Sequence, residues 1–215
     1  MIILEAKIYL DAETTIQINR KNCISISANL SDRSDIIKPS YGIISNTGNI
    51  EFKDVDGRIL NYANERLLID NLNCEIFLRN TLNDANSKVA SMVTKQWNYD
   101  NNNRIASVSL KDHLEEWQSI HIDGFSYDPR QPNKILRNKS LADLYIWLQD
   151  KTPSKYSMLA FDELNEETQN ILNGTILQYP LLKSASLWRQ WTKICEVCGL
   201  YIYADENART VCNYT

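Results

Sequence analysis

The chain is poor in glycine and histidine, with six and two in 215 residues. No Walker loop, GxGxxG, GxSxG, HExxH or EF-hand pattern occurs, so the usual phosphate, dinucleotide, hydrolase and metal signatures are missing. No apolar stretch approaches the length of a membrane span, and no membrane anchor is expected. The opening "MIILEAKIYLDAE" is too short and too alternating for a signal peptide, because Glu5 and Lys7 interrupt its apolar run. Positive charge is also in deficit. A net charge of −4 and a pI near 5.3 remove the basic field that would hold nucleic acid, so sequence-specific nucleic-acid binding is not expected. The five cysteines (Cys23, Cys74, Cys195, Cys198 and Cys212) are an odd number with no secretion signal. They are expected to be reduced thiols made in a cytoplasm.

What is present is a core and a clear change of period. Hydrophobic residues make up 43% of the chain, and frequent asparagines are expected to fill turn positions that glycine would otherwise hold. In the first half, Ile2, Leu4, Ala6, Ile8 and Leu10 fall on one face, as do Ile24, Ile26, Ala28 and Leu30. "NTGN" and "DVDG" read as turns between strands, and "LNCEIFLRN" and "KVASMVTKQWNYD" as longer strands. "QWNYD" and "RIASVSL" form a hairpin around "DNNN". A short helix follows, carrying Leu110, Leu114 and Trp117 at helical spacing. The second half is mainly helical. Ser140 and Asp143 form a capping box, and Leu187, Trp191, Ile194, Cys195 and Cys198 make one apolar helix stripe that ends at Gly199. "LYIYA" and "RTVCNYT" close as a hairpin.

The expected fold class is α+β. An N-terminal antiparallel β-barrel-like domain covers 1–120, a linker 121–139, and a smaller helix-rich α+β domain 140–215, incomplete at its C-terminus. Catalytic chemistry has weak candidates. Cys195 and Cys198 form a CxxC, but they end their helix on its apolar stripe and lack a matching second pair, so they read as core. Asp112, His113, Glu115 and Glu116 read as a solvated helix face, since adjacent glutamates point about 100° apart. Glu163, Glu166 and Glu167 read as an exposed helix face, and His121 receives no role. Trp97 and Tyr99 share a strand face and could bind sugar, although aromatics at strand period more often pack a core. No cofactor, metal or catalytic residue is assigned.

In order, "GNIEFKDVDGRIL", "LNCEIFLRNT" and "KQWNYDNNNRIASVSLKDHLEEWQ" resemble the N-terminal domain of phage tail-tip and baseplate hub proteins. In that family a strand ending W-x-Y-D/N leads through a polar turn to a V-x-L strand, then to a helix with L-x-x-W/L-Q. "SLWRQWTKICEVCGLYIYADENARTV" is similar to the helix-hairpin element of the next hub domain. Trp188, Ile194, Cys195, Gly199, Leu200, Asp205, Glu206 and Asn207 match, and Ala208 replaces the turn glycine.

The resemblance implies a non-enzymatic virion protein, made in the bacterial host cytoplasm and located in the tail. It implies a homotrimer whose two barrels per subunit form a pseudo-sixfold ring, with tail tube, distal tail and tip or spike proteins as partners. The second barrel would lie downstream. The competing readings are a carbohydrate-binding β domain of an adhesin, for which Trp97 and Tyr99 would supply the surface, and the non-catalytic part of a tail-associated cell-wall hydrolase.

Overall fold

The structure, a computed structural model, describes residues 2–29, 42–83, 85–122, 139–152, 158–177 and 185–214. It is a mixed α+β fold in two compact units. The first holds the described residues of Met1–Leu30, Asn46–Asp112 and Asp205–Ala208. The second holds those of Ser31–Ser45, His113–Ala204 and Arg209–Thr215. Residues 123–138, most of the expected linker, lie outside the described residues.

The first unit is a seven-stranded antiparallel sheet. Its strands are β1 (Ile2–Tyr9), β2 (Thr15–Ile18), β3 (Cys23–Asn29), β5 (Thr47–Lys53), β6 (Asn73–Asn80), β7 (Ala85–Asp100) and β8 (Ile105–Lys111), while β4 (Gly42–Ile44) belongs to the second unit. The hydrogen-bonded order is β2-β1-β6-β7-β8-β5-β3. Alternation places Ile8, Ile18, Ile50, Phe52, Ile76, Val108 and Leu110 on the buried face, each contributing about 1.5–3 kcal/mol.

The expected barrel is not formed, because pairing stops at β2 and β3. Alternation identifies strands, but closure depends on tilt and register, which alternation does not encode. The two end strands are nevertheless joined by only Asn19–Asn22, where Asn19 N–H donates to Asn22 Oδ1 at 2.8 Å and Lys21 N–H to Asn19 Oδ1 at 3.0 Å. That short link requires the sheet to curl. Irregular pairing at Cys23/Ser25, Ile76/Phe77 and Thr94/Trp97 supplies local bends.

Four local readings change. "NTGN" is not a turn, because Gly48 lies within β5, opposite Ala28. A Cβ there would sit 2.9 Å from the Ser27 carbonyl oxygen, so the glycine permits close strand approach. "DVDG" is a turn, but it leads into helix α1 (Arg58–Asn64) instead of a strand, with Gly57 at φ 68°. Leu110 belongs to β8 and fills the first unit's core. The helix after it is a 3₁₀ turn, His113–Gln118, burying Leu114 and Trp117. In the "DNNN" hairpin, Asp100 Oδ1 accepts from the Asn102 and Asn103 amides, and the left-handed residue is Arg104, not an asparagine.

The second unit packs three helices with short strands. It contains β9 (His121–Ile122), β10 (Lys139–Ser140), α2 (Leu141–Lys151), α3 (Glu166–Gly174), β11 (Ile176–Leu177), β12 (Ala185–Ser186), α4 (Leu187–Cys198), β13 (Leu200–Ala204) and β14 (Thr210–Tyr214). The Ser140–Asp143 capping box forms, with each side chain accepting from the other's amide. Gly199 ends α4 at φ 67°, its N–H reaching the Cys195 carbonyl. β13 pairs antiparallel with β14 and parallel with β4.

At the β13–β14 turn Ala208 holds φ 59°, a left-handed conformation that penalises a Cβ. Ala208→Gly should therefore stabilise the chain by about 1 kcal/mol, raising the melting midpoint by about 2–4 °C. Differential scanning calorimetry measures this directly, and an unchanged or lower midpoint would contradict it.

Candidate functional site

The reactive groups are spent on structure. Cys195 lies fully buried on the core side of α4, with Cys212 also buried and Cys198 half-buried. Burial pushes the Cys198 thiol up to about 11 and those of Cys74 and Cys212 up to about 12, while Cys195 is driven well above the ordinary range. Only the thiolate is nucleophilic, so at neutral pH the CxxC is two neutral packing groups. With a thiol-specific chromogenic reagent at mildly alkaline pH, Cys74, Cys195 and Cys212 should react only after denaturation. A fast equivalent traced to Cys195 in the folded chain would overturn this assignment.

The stretch Asp112–His113 departs from a solvated face, for both residues are buried. Asp112 Oδ2 accepts the Asn46 amide at 2.6 Å, and the Asp112 amide donates to the Asn46 carbonyl at 3.1 Å. His113 Nε2 lies 2.9 Å from Thr210 Oγ1. Sequence reasoning missed this pair. Its signal is an acid placed where the strand period ends and the helical one begins. Glu115 and Glu116 are half-buried, and Glu163, Glu166 and Glu167 are exposed near the start of α3, where Glu163 accepts the Ala160 amide. His121 lies exposed in β9. Among the described residues no group of three or more His, Cys, Asp or Glu side chains could hold a metal ion.

Trp97 and Tyr99 are half-buried against the core of the first unit. The Trp97 indole N–H donates to the Ile69 carbonyl at 3.3 Å, and the Tyr99 hydroxyl to Asp54 Oδ2 at 2.9 Å. Both rings thus have framework partners for their polar tips.

What the first unit offers outward is surface. β2 and β3 end the pairing order, and β3 (CISISAN) is uncharged and carries no proline, so nothing in its composition blocks another strand. The β6–β7 end exposes Ile2, Leu78 and Leu82, the last at 86%. The β1–β6 register pairs Ile2 with Asn80 and Leu4 with Leu78, so Ile2 and Leu78 extend the core face beyond the part that is covered.

No protein-family model matches the sequence, and no curated protein matches it either. Solved structures do. The chain is similar to a tail protein from Neisseria meningitidis MC58, with a TM-score of 0.52 and 10% identity, over 98% of this chain and 51% of that one. It is also similar to the 43 kDa tail protein of prophage MuSo2 from Shewanella oneidensis, with a TM-score of 0.55 and 12% identity, over 99% and 56%. The chain spans about half the length of each. Identities this low establish a shared fold that runs through both units.

Proposed function

We propose that this chain is a structural, non-enzymatic component of a phage-type tail, namely the N-terminal part of a hub that links tube to tip or baseplate. It works by self-association into a homotrimeric ring and by docking to tail tube, distal tail and spike or tip proteins. A second, barrel-like domain downstream would complete a pseudo-sixfold ring. The observation that carries this reading is the fold match to two tail proteins over nearly the whole chain. β2 and β3, which end the pairing order among the described residues, and the apolar β6–β7 end support it, because assembly can cover such surfaces.

The test is location. Antibodies raised against the chain should decorate one end of purified tail particles from the phage or prophage encoding it, seen by negative-stain electron microscopy. Full-length protein should also form threefold rings in the same images. Particles that lack the chain, or label scattered along the tube, would refute the hub role.

A further inference from the structure

We propose that a basic concavity on the first unit receives the acidic segment 161–167 of a second copy. This rests on the self-assembly reading above and goes beyond it by naming the two surfaces. The concavity, about 470 Å³, lies on the outer face of β1, β2 and β6 beside the Asn19–Asn22 corner. Its lining gathers Lys7, Arg20, Lys21 and Arg79 with one carboxylate, Glu5, and Lys7 also faces Glu75 across the β1–β6 pair. Arg79 pairs with Glu5 at 3.2 Å, and the Lys7 ammonium sits 5.4 Å from the centre of the Phe77 ring. Arg20 and Lys21 are exposed on the rim. A shelf this cationic is out of keeping with a chain whose net charge is −4.

The complement lies in the same chain. "FDELNEE" presents Asp162, Glu163, Glu166 and Glu167, all exposed and with no cation among them. Buried Leu164 and Thr168 fix the segment to its unit, and Asn165 caps α3 through the Thr168 amide, so the acids project from a rigid frame. Copies of an acidic chain repel one another overall, and a local attraction of opposite sign offsets that repulsion. The two surfaces share no residue. Their contact is therefore head-to-tail, the type that closes into a ring or runs on as a chain.

Sedimentation velocity of the full chain tests this at low salt and at about 1 M salt, where screening shortens to about 3 Å. Wild type should associate at low salt and dissociate at high salt. Arg20→Glu/Lys21→Glu and Glu166→Lys/Glu167→Lys alter exposed positions only, and unchanged circular dichroism checks their fold. Each variant alone should lose at least tenfold in association, because the first turns the shelf net acidic and the second cancels the net charge of the acidic segment. Mixed together the variants complement each other, and the mixture should associate. Association indifferent to both variant pairs, or a mixture that stays monomeric, overturns these surfaces while leaving self-assembly standing. A wild type that is monomeric at every concentration also overturns these surfaces.

Discussion

Trp191→Ala should destabilise the second unit by about 3–5 kcal/mol, the upper range for a single core truncation. Trp191 is fully buried at the centre of α4. Its ring meets Tyr145 edge-on at 5.2 Å and lies 6.3 Å from the tilted ring of Trp117. Removing it takes away an aromatic side chain and leaves a void that its rigid neighbours cannot collapse into. A domain of ordinary stability has about 5–15 kcal/mol in all, so the variant should unfold well before wild type in urea. Trp191→Phe should be far milder, since the indole N–H finds no acceptor among the described residues and little but volume is lost. Trp188, half-buried three residues earlier, should lose less when truncated. Chemical denaturation followed by circular dichroism ranks the three variants. Equal losses at 188 and 191 would mean that α4 does not pack as described.

That ranking was legible in the sequence, because α4 obeys a single period. Leu187, Trp191, Ile194 and Cys195 recur at helical spacing, and Gly199 marks the end, so stripe, cap and core follow from one pattern. The sheet strands were legible for the same reason. What was hidden is whatever depends on distant chain. Gly48 looks like a turn glycine until Ser27, twenty-one residues earlier, is found against it. Asp112 looks like a solvent-facing acid until Asn46 supplies the partner that buries it. The barrel was anticipated from the regular succession of strands and turns, yet closure is a matter of register between β2 and β3, and nothing in either strand states it. Helix α1 was concealed because "GRIL" is too short for a period to show, and its capping carboxylate stands outside it, at Asp54.

Asp54→Ala should cost the first unit about 3 kcal/mol, and the reason also explains the aromatic motif beside it. The Asp54 side chain is almost wholly buried. Oδ1 accepts the Ile59 amide at 3.1 Å, while Oδ2 accepts the Leu60 amide at 3.2 Å and the Tyr99 hydroxyl at 2.9 Å. The first two are otherwise orphan donors of α1, whose own N-cap, Gly57, has no side chain to offer. Truncation removes the acceptor from three donors at once, one buried and two part-buried, and the buried loss costs about 1–3 kcal/mol with smaller additions from the other two. Asp54→Asn keeps the shape but turns one oxygen into a donor facing donors, so it should recover only part of the loss. Tyr99→Phe removes one bond and should cost about 1 kcal/mol. In a double-mutant cycle the Asp54 and Tyr99 losses should couple, because they share the 2.9 Å bond. Additive losses would show that the hydroxyl is not held by Asp54 in solution. Coupled losses would make Tyr99 an anchor between β7 and the start of α1, as Trp97 is between β7 and the Ile69 carbonyl. On that result the strand ending W-x-Y-D is framework, and the surfaces for the proposed assembly lie elsewhere.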